Sequence, residues 1–175
     1  MAIKYVVAID PSINNVGCAV FEKMVPGAKL IDKIIIHPSK FAKNGNYQEK
    51  SRDIIGQIVR VMDAVSKLDF PHNDVQLVTE IPQSFGVSGY LSRESGAMLK
   101  LTFIAGMIFN ITDTVVSYEP NQWKGQMPKD VVARRLQRYY PKEKIYDVKR
   151  KKFIMDHNIV DAIGIGHKFI HGDIK

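Results

Sequence analysis

The first 36 residues contain three β-type segments separated by connections too short to hold a helix. Residues 3–9 form a continuous apolar run, residues 16–22 form a second one, and residues 29–36 end in three consecutive isoleucines. Short connections favour antiparallel pairing of successive strands. The amino-terminal part of the chain is therefore predicted to form three antiparallel strands.

Beyond residue 46 the pattern changes to an alternation of helices and strands. The segments are a helix over 47–68, a strand over 75–80, a helix over 92–111, a strand over 114–118, and helices over 128–140 and 152–170. Residues 142–149 are predicted to be a charged linker. The order βββαβαβαα predicts one α/β domain over residues 1–175. Its mixed five-stranded sheet has three antiparallel strands, then parallel strands, and is flanked by helices.

Three acidic residues lie where a site of such a sheet would form. Asp10 ends the first apolar run, and Glu80 ends the run over 75–80. Asp161 lies within an apolar stretch of the last predicted helix. A carboxylate among apolar neighbours is costly to bury unless it is paired, and sites of open α/β sheets form at the carboxyl ends of strands. We therefore expect these three carboxylates to converge.

Converging carboxylates predict a site for Mg²⁺ or Mn²⁺, which prefer oxygen ligands. Two such ions about 4 Å apart stabilise the attacking and the leaving oxygen of a phosphoryl displacement, so two ions are expected. On the last helix, His157 and Asn158 lie about 40° and 60° from Asp161. His157 is favoured as fourth ligand because imidazole binds metal and moves protons. Asp156 is the alternative if the helix begins late, and Asn158 is a weaker one.

The basic excess of the chain lies in one stretch. Residues 124–152 hold eleven of the 25 Lys and Arg residues but three of the 18 acidic residues, in a chain of net charge +7. The remainder is nearly neutral. Such a stretch is either a polyanion-binding surface or a solvated surface without a partner, and charge alone does not decide between them. Together with the acidic residues, it favours an enzyme that cuts nucleic acid.

Other features bound the interpretation. The single cysteine, Cys18, excludes an intrachain disulfide. No apolar run is long enough to span a membrane, so we expect a cytoplasmic protein.

His167 and His171 are expected at the surface, because no cysteine or acidic partner lies near them in the sequence. Gly164 and Gly166, inside a helical pattern, are expected to permit close packing of that helix.

Four segments, in this order, resemble a known family. They are Ala8-Ile9-Asp10-Pro11-Ser12 with the strand that follows, Thr79-Glu80-Ile81-Pro82-Gln83, Gln122-Trp123-Lys124-Gly125 with Pro128-Lys129, and Ile159-Val160-Asp161-Ala162. The chain resembles the RuvC-type Holliday junction resolvases of the ribonuclease H-like superfamily, especially small phage-type members. Ser12 stands where the family usually has glycine. Asn158 stands where it usually has Asp or His, so the fourth ligand stays open among His157, Asp156 and Asn158.

The resemblance implies a homodimer that cuts four-way DNA junctions with Mg²⁺ or Mn²⁺ and water as nucleophile, in a bacterial host's cytoplasm if it is phage-encoded. Lys124 joins the metal ligands at the catalytic site, and both Lys124 and Lys129 would bind phosphate there. Phe85 and Tyr90 would stack on opened bases or anchor their loop on the core, where Trp123 is also expected. The residues implied to hold the junction arms are Arg134, Arg135, Arg138, Lys149, Arg150, Lys151 and Lys152.

Three alternatives remain beside this reading. The same site could cut flaps, forks and other branched DNA, or RNA in RNA–DNA hybrids. A junction-binding protein without catalysis is disfavoured by the three acidic residues. A nucleotide-binding module of the actin and sugar-kinase type shares the opening strand–Asp–turn–strand pattern, but it needs a second lobe for which 175 residues leave no room.

Overall fold

The computed structural model describes residues 3–24, 27–68, 75–82 and 96–174. In these residues the main sheet has five strands in the order β3-β2-β1-β4-β5. The strands are β1 (Tyr5–Asp10), β2 (Val16–Lys23), β3 (Ala28–Ile36), β4 (Val75–Glu80) and β5 (Val115–Tyr118). β2 pairs antiparallel with β1 and β3, whereas β4 pairs parallel with β1 and β5. The mixed five-stranded sheet predicted from the sequence is confirmed.

Helices flank this sheet. Those in the described ranges are α1 (Lys40–Lys43), α2 (Tyr47–Ser66), α3 (Ala97–Ile108), α4 (Pro120–Trp123), α5 (Lys129–Tyr139) and α6 (His157–His171). α2 begins with a reciprocal cap: the Asn46 side chain accepts the Glu49 N–H, and the Glu49 side chain accepts the Asn46 N–H. The predicted start of the helix over 92–111 lies outside the described residues. No helix in the described ranges has the length and apolar composition needed to cross a bilayer.

Alternate side chains of the central strands enter two separate cores. Val6, Ala8 and Val78 pack with apolar residues of α5 and α6, while the intervening residues of β1 and β4 pack with α2 and α3. Successive side chains of a strand point to opposite faces. The side chain of Asp10 therefore lies on the same face of the sheet as that of Ala8, and the side chain of Glu80 lies on the same face as that of Val78. This is the face that α6 covers.

Glycines allow α6 to lie close to the sheet. A Cβ atom at Gly17 of β2 would lie 2.0 Å from the Asn158 carbonyl oxygen at the start of α6. A Cβ atom at Gly166 would lie 2.2 Å from the Phe21 ring. Both distances are too short for a side chain. At Gly164 a Cβ atom would likewise lie 2.3 Å from the Trp123 ring, so the close packing expected for Gly164 and Gly166 is confirmed. Gly17 also pairs with Asp10 across β1 and β2, so α6 begins beside that carboxylate.

The last predicted helix, over 152–170, is wrong at its start. α6 begins at His157, and the Asp156 side chain caps it by accepting the Asn158 N–H at 2.8 Å. The preceding residues instead form a hairpin of two short strands, β6 (Tyr146–Asp147) and β7 (Lys152–Phe153).

Two contacts stabilise this hairpin. The rings of Tyr146 and Phe153 meet edge to face across the strands, 5.4 Å apart. One carboxylate oxygen of Asp147 accepts the N–H groups of Lys149 and Arg150, each at 3.0 Å, which closes the turn. The predicted charged linker over 142–149 is therefore partly ordered secondary structure. We call residues 148–152 the basic hairpin tip.

The surface position predicted for His167 is also wrong, because this side chain is 1% exposed. Its ring packs 4.3 Å from the Tyr139 ring and 4.8 Å from the His171 ring. The Tyr140 hydroxyl lies 3.1 Å from His167 Nδ1. The carboxyl-terminal half of α6 therefore buries a histidine in an aromatic environment instead of exposing it.

Candidate active site

Asp10 and Glu80 end neighbouring parallel strands. Ile9 of β1 pairs with Thr79 of β4, so the two carboxylate-bearing residues are the next position on each strand. Neighbouring strands lie about 4.8 Å apart. Asp161 lies on α6, which covers the same face of the sheet. Asp10 and Asp161 are 8% and 6% exposed, so two strand ends and one helix bring three carboxylates into one partly buried pocket.

The carboxylates of this pocket influence one another. Burial raises the pKa of Asp10 well above its ordinary value, and the negative charges of Asp161 and Glu80 raise it further, against Lys124 and Lys129. Burial also raises the pKa of Glu80, while Lys124 opposes this effect. Neighbouring carboxylates thus make ionisation of Asp10 and of Glu80 less favourable. A pocket of this kind favours the arrival of positive charge.

Two lysines supply positive charge here. Lys124 Nζ lies 3.8 Å from a Glu80 oxygen and 4.0 Å from an Asp161 oxygen. Because both oxygens lie within 4.0 Å of the same Nζ atom, the carboxylates of Glu80 and Asp161 lie close together. Lys129, the first residue of α5, places Nζ 3.2 Å from Asp161 Oδ2. Both lysines were predicted to bind phosphate, and in the structure both are counter-charges to the carboxylates.

Trp123 makes a contact that the sequence did not predict. Its ring is 2% exposed and belongs to the core on the α6 face, as predicted. In addition, its indole N–H donates a 2.7 Å hydrogen bond to Glu80 Oε2. Only a general indication of this contact was present in the sequence. A buried indole usually finds an acceptor for its N–H, and Trp123 is next to Lys124.

The donor chemistry of the pocket fits a hard divalent cation. Carboxylate oxygens are the ligands that Mg²⁺ and Mn²⁺ prefer. The pKa of Asp10 is raised first by burial and then by the negative charges of Asp161 and Glu80, which Lys124 and Lys129 oppose. Within the described residues, no group of three His, Cys, Asp or Glu side chains is arranged to hold a metal ion. Lys124 bridges two of the carboxylates instead.

The three candidates for a fourth ligand occupy different positions at the start of α6. The His157 side chain is 56% exposed, and its Nδ1 lies 3.9 Å from an Asp156 oxygen. The late helix start that would favour Asp156 is observed, but its carboxylate caps α6. Asn158 is buried, at 8% exposure. The identity of the fourth ligand stays a prediction.

The predicted DNA-contacting residues divide into exposed and anchored side chains. Arg138 and the four basic residues of the hairpin tip are exposed. Arg134 pairs with Asp130 at 3.2 Å on the surface of α5. Arg135 is half-buried, and its guanidinium donates a 2.8 Å hydrogen bond to the Ile174 carbonyl. Arg135 thus anchors the carboxyl-terminal segment. The predicted stacking residues, Phe85 and Tyr90, lie outside the described residues.

A cavity on the other face of the sheet does not compete with this pocket. It has a volume of about 630 Å³ and lies between β3 and α2, lined mainly by apolar side chains such as Ile34, Val61 and Leu68. Its charged lining residues are Asp32 and Arg60. Because it lacks converging carboxylates, the pocket at the strand ends is the candidate active site.

No model of a known protein family matches the sequence, and no curated protein is similar to it in sequence. The fold, by contrast, resembles solved structures. Thermus thermophilus RuvC in complex with Holliday junction substrate has a TM-score of 0.53 at 21% identity, covering 92% of this chain and 88% of that chain. A second Thermus thermophilus RuvC structure has a TM-score of 0.52 at 20% identity, with 92% and 90% covered.

The yeast mitochondrial Holliday junction resolvase Ydc2 has a TM-score of 0.57 at 11% identity, covering 94% of this chain and 76% of that chain. At such low identities the similarity concerns the fold. The chain has the RuvC-like variant of the ribonuclease H-like fold, as the motif resemblance predicted.

Proposed function

We propose that the protein is an endonuclease that uses Mg²⁺ or Mn²⁺ to hydrolyse phosphodiester bonds in four-way and related branched DNA. The observation that carries this proposal is the convergence of Asp10, Glu80 and Asp161 from two strand ends and one helix. Lys124 and Lys129 lie against the same carboxylates. The fold similarity to RuvC and Ydc2, which are named as acting on Holliday junctions, supports the substrate class.

The three carboxylates are the proposed cation ligands, with His157, Asp156 or Asn158 as the fourth. A bound pair of cations would supply Lewis-acid charge and lower the pKa of a water nucleophile. Lys124 and Lys129 are within reach of the same pocket, so their ammonium groups are proposed to bind phosphate oxygens of the DNA there. The burial of Asp10 and Asp161 limits the access of bulk water and strengthens these interactions.

The DNA surface is proposed to extend from the pocket over the basic stretch. Arg134, Arg138 and the basic hairpin tip are the exposed members of that stretch. Lysine and arginine contacts to phosphate position DNA without reading its sequence, which suits an enzyme selective for branched structure. Phe85 and Tyr90 stay proposed stacking residues for opened bases.

A homodimer is proposed as the active form, because a two-fold symmetric pair of sites suits a junction cut on two strands. The apolar surface of α3 supports it: Leu99 is 77% exposed and Phe103 is 45% exposed. Exposed large apolar side chains on one helix are typical of an interaction surface. The molecular mass in solution tests this part of the proposal.

A cleavage assay on a labelled synthetic four-way junction tests the function. With Mg²⁺, the wild-type protein is expected to nick the junction, and Glu80→Gln is expected to bind it without cutting. Flaps, replication forks, RNA–DNA hybrids and linear duplex of the same sequence serve as comparison substrates. Linear duplex or hybrid cut as fast as the junction would contradict the resolvase assignment, and full activity of Glu80→Gln would contradict the proposed site.

A further inference from the structure

We propose that Trp123 is a positioning residue of this site: its indole N–H fixes the orientation in which the Glu80 carboxylate binds the divalent cation. This inference rests on the proposed nuclease function and adds to it a residue outside the set of ligands and phosphate contacts.

The hydrogen bond from Trp123 to Glu80 joins the core to the pocket. The indole nitrogen lies 2.7 Å from Glu80 Oε2, a short distance for an N–H donor. The ammonium nitrogen of Lys124 lies further away, 3.8 Å from the same oxygen. The indole N–H is therefore the closer donor. Because the ring is 2% exposed, water cannot readily replace Glu80 as its acceptor.

Two contacts hold the ring of Trp123. A Cβ atom at Gly164 of α6 would lie 2.3 Å from ring atom Cζ3, so the ring rests directly on the backbone of that helix. Lys124 Nζ lies 4.6 Å from the ring centroid, within the range of a cation–π interaction. α6 also carries Asp161. Trp123 thus couples the orientation of the β4 carboxylate to the helix that presents the third carboxylate.

Hydrogen bonds to metal-ligating side chains commonly matter for function. Removing such a partner typically lowers metal affinity or activity by about 10- to 100-fold. Without the indole N–H, the Glu80 carboxylate would rotate between its lysine partner and solvent. We therefore expect the site to need a higher cation concentration, while the pocket keeps its carboxylates.

The first test replaces one atom. Trp123 is the single tryptophan of the chain, so it can be exchanged for 3-benzothienylalanine, in which sulfur replaces the N–H in a ring of nearly the same shape. Trp123→Phe is the simpler companion variant. Both are expected to raise the Mg²⁺ concentration for half-maximal junction cleavage about tenfold, and the sulfur analogue is expected to keep the thermal midpoint. An unchanged Mg²⁺ dependence in the sulfur analogue would overturn the proposal.

The second test needs no cleavage. As the only tryptophan, Trp123 reports on its own hydrogen bond through its fluorescence. Titration of the DNA-free protein with Mn²⁺ is expected to change the emission saturably, and Glu80→Gln is expected to abolish this change. Emission that does not respond over the Mn²⁺ range supporting cleavage would overturn the positioning role while leaving the nuclease function intact. A wild-type protein that cuts no junction would instead overturn the proposed function.

Two glycines of α6 provide a matched control. A Cβ atom at Gly164 would meet the Trp123 ring at 2.3 Å, and one at Gly166 would meet the Phe21 ring at 2.2 Å. Gly164→Ala and Gly166→Ala are therefore both expected to lower the thermal midpoint. Only Gly164→Ala should also raise the Mg²⁺ requirement of cleavage. Equal Mg²⁺ requirements in two variants that both remain folded would count against Trp123.

Discussion

The two halves of α6 bury polar groups in opposite ways. Near its amino-terminal half, Asp10 and Asp161 face each other and Glu80, with Lys124 and Lys129 as counter-charges. In its carboxyl-terminal half, His167 is buried against the aromatic rings of Tyr139 and Tyr140. Burial, with a smaller contribution from His171, lowers the pKa of His167 to about 4.

This contrast distinguishes a site from a core. Burial penalises the charged form of any group, and His167 responds by staying neutral at physiological pH. The carboxylates crowd like charge together and depend on the side chains of Lys124 and Lys129 to offset it. Arrangements that are unfavourable for stability are typical of functional sites. The three predictions below test this contrast, from the largest expected effect to the smallest.

Asp10→Asn should show the largest effect. The substitution removes a proposed cation ligand, and ligation stabilises a phosphoryl-transfer transition state by several kcal/mol. Cleavage should therefore fall about a thousandfold or more. Because Asp10 is buried and faces two further carboxylates, the thermal midpoint should stay constant or rise. A variant that retains wild-type cleavage, or that loses activity only because it unfolds, would contradict the contrast.

His167 should make the fold acid-sensitive. Its pKa of about 4 lies below the ordinary value of 6.5, so the unfolded chain binds a proton more readily. The contribution of the neutral His167 to the free energy of unfolding is complete above about pH 6.5. It is lost as the pH falls towards 4, which lowers the free energy of unfolding by about 3 kcal/mol.

Urea unfolding between pH 7 and pH 4 measures this loss. His167→Gln, which cannot be protonated, should flatten the dependence. His157→Gln removes an exposed histidine and is the control expected to leave the dependence unchanged. Identical pH dependence in wild type and His167→Gln would show that other groups control acid stability.

The basic hairpin tip should have the smallest effect, on binding alone. Lys149→Ala with Lys152→Ala should weaken junction binding at low salt about tenfold. It should also reduce the slope of log affinity against log salt by about one per lost phosphate contact. Exposed lysines at the far end of β2 and β3 supply a charge-matched control, Lys23→Ala with Lys29→Ala. Equal weakening by both pairs would mean that net charge, not the tip, determines binding.

Regular elements were predictable from the sequence because their patterns are long. The continuous apolar run of β1 and the helical spacing of α2 both exceed what chance produces over a few residues. α1 and α4 span four residues each, too few for a period to emerge. The hairpin before α6 was missed for the same reason. The N-cap Asp156 was available as a signal, but residues 152–155 were assigned to the helix.

The candidate site was predictable in part. Asp10 and Glu80 stand out because each ends an apolar strand, and Asp161 because it interrupts an apolar helix face. The hydrogen bond from Trp123 to Glu80 joins residues 43 positions apart. No local pattern reports a contact of that separation. The burial of His167 likewise depends on Tyr139 and Tyr140, which lie at the carboxyl-terminal end of α5.

The sequence by itself determined the order of the main-sheet strands and of the longer helices, the positions of Asp10 and Glu80 at strand ends, and the concentration of basic charge in one stretch. These features follow from local periodicity and composition. The tertiary structure decided which lysine faces which carboxylate, that an indole holds Glu80, and that one histidine is buried. Such contacts depend on how closely α6 packs on the sheet. That distance is determined by glycines whose significance appears only when the two elements meet.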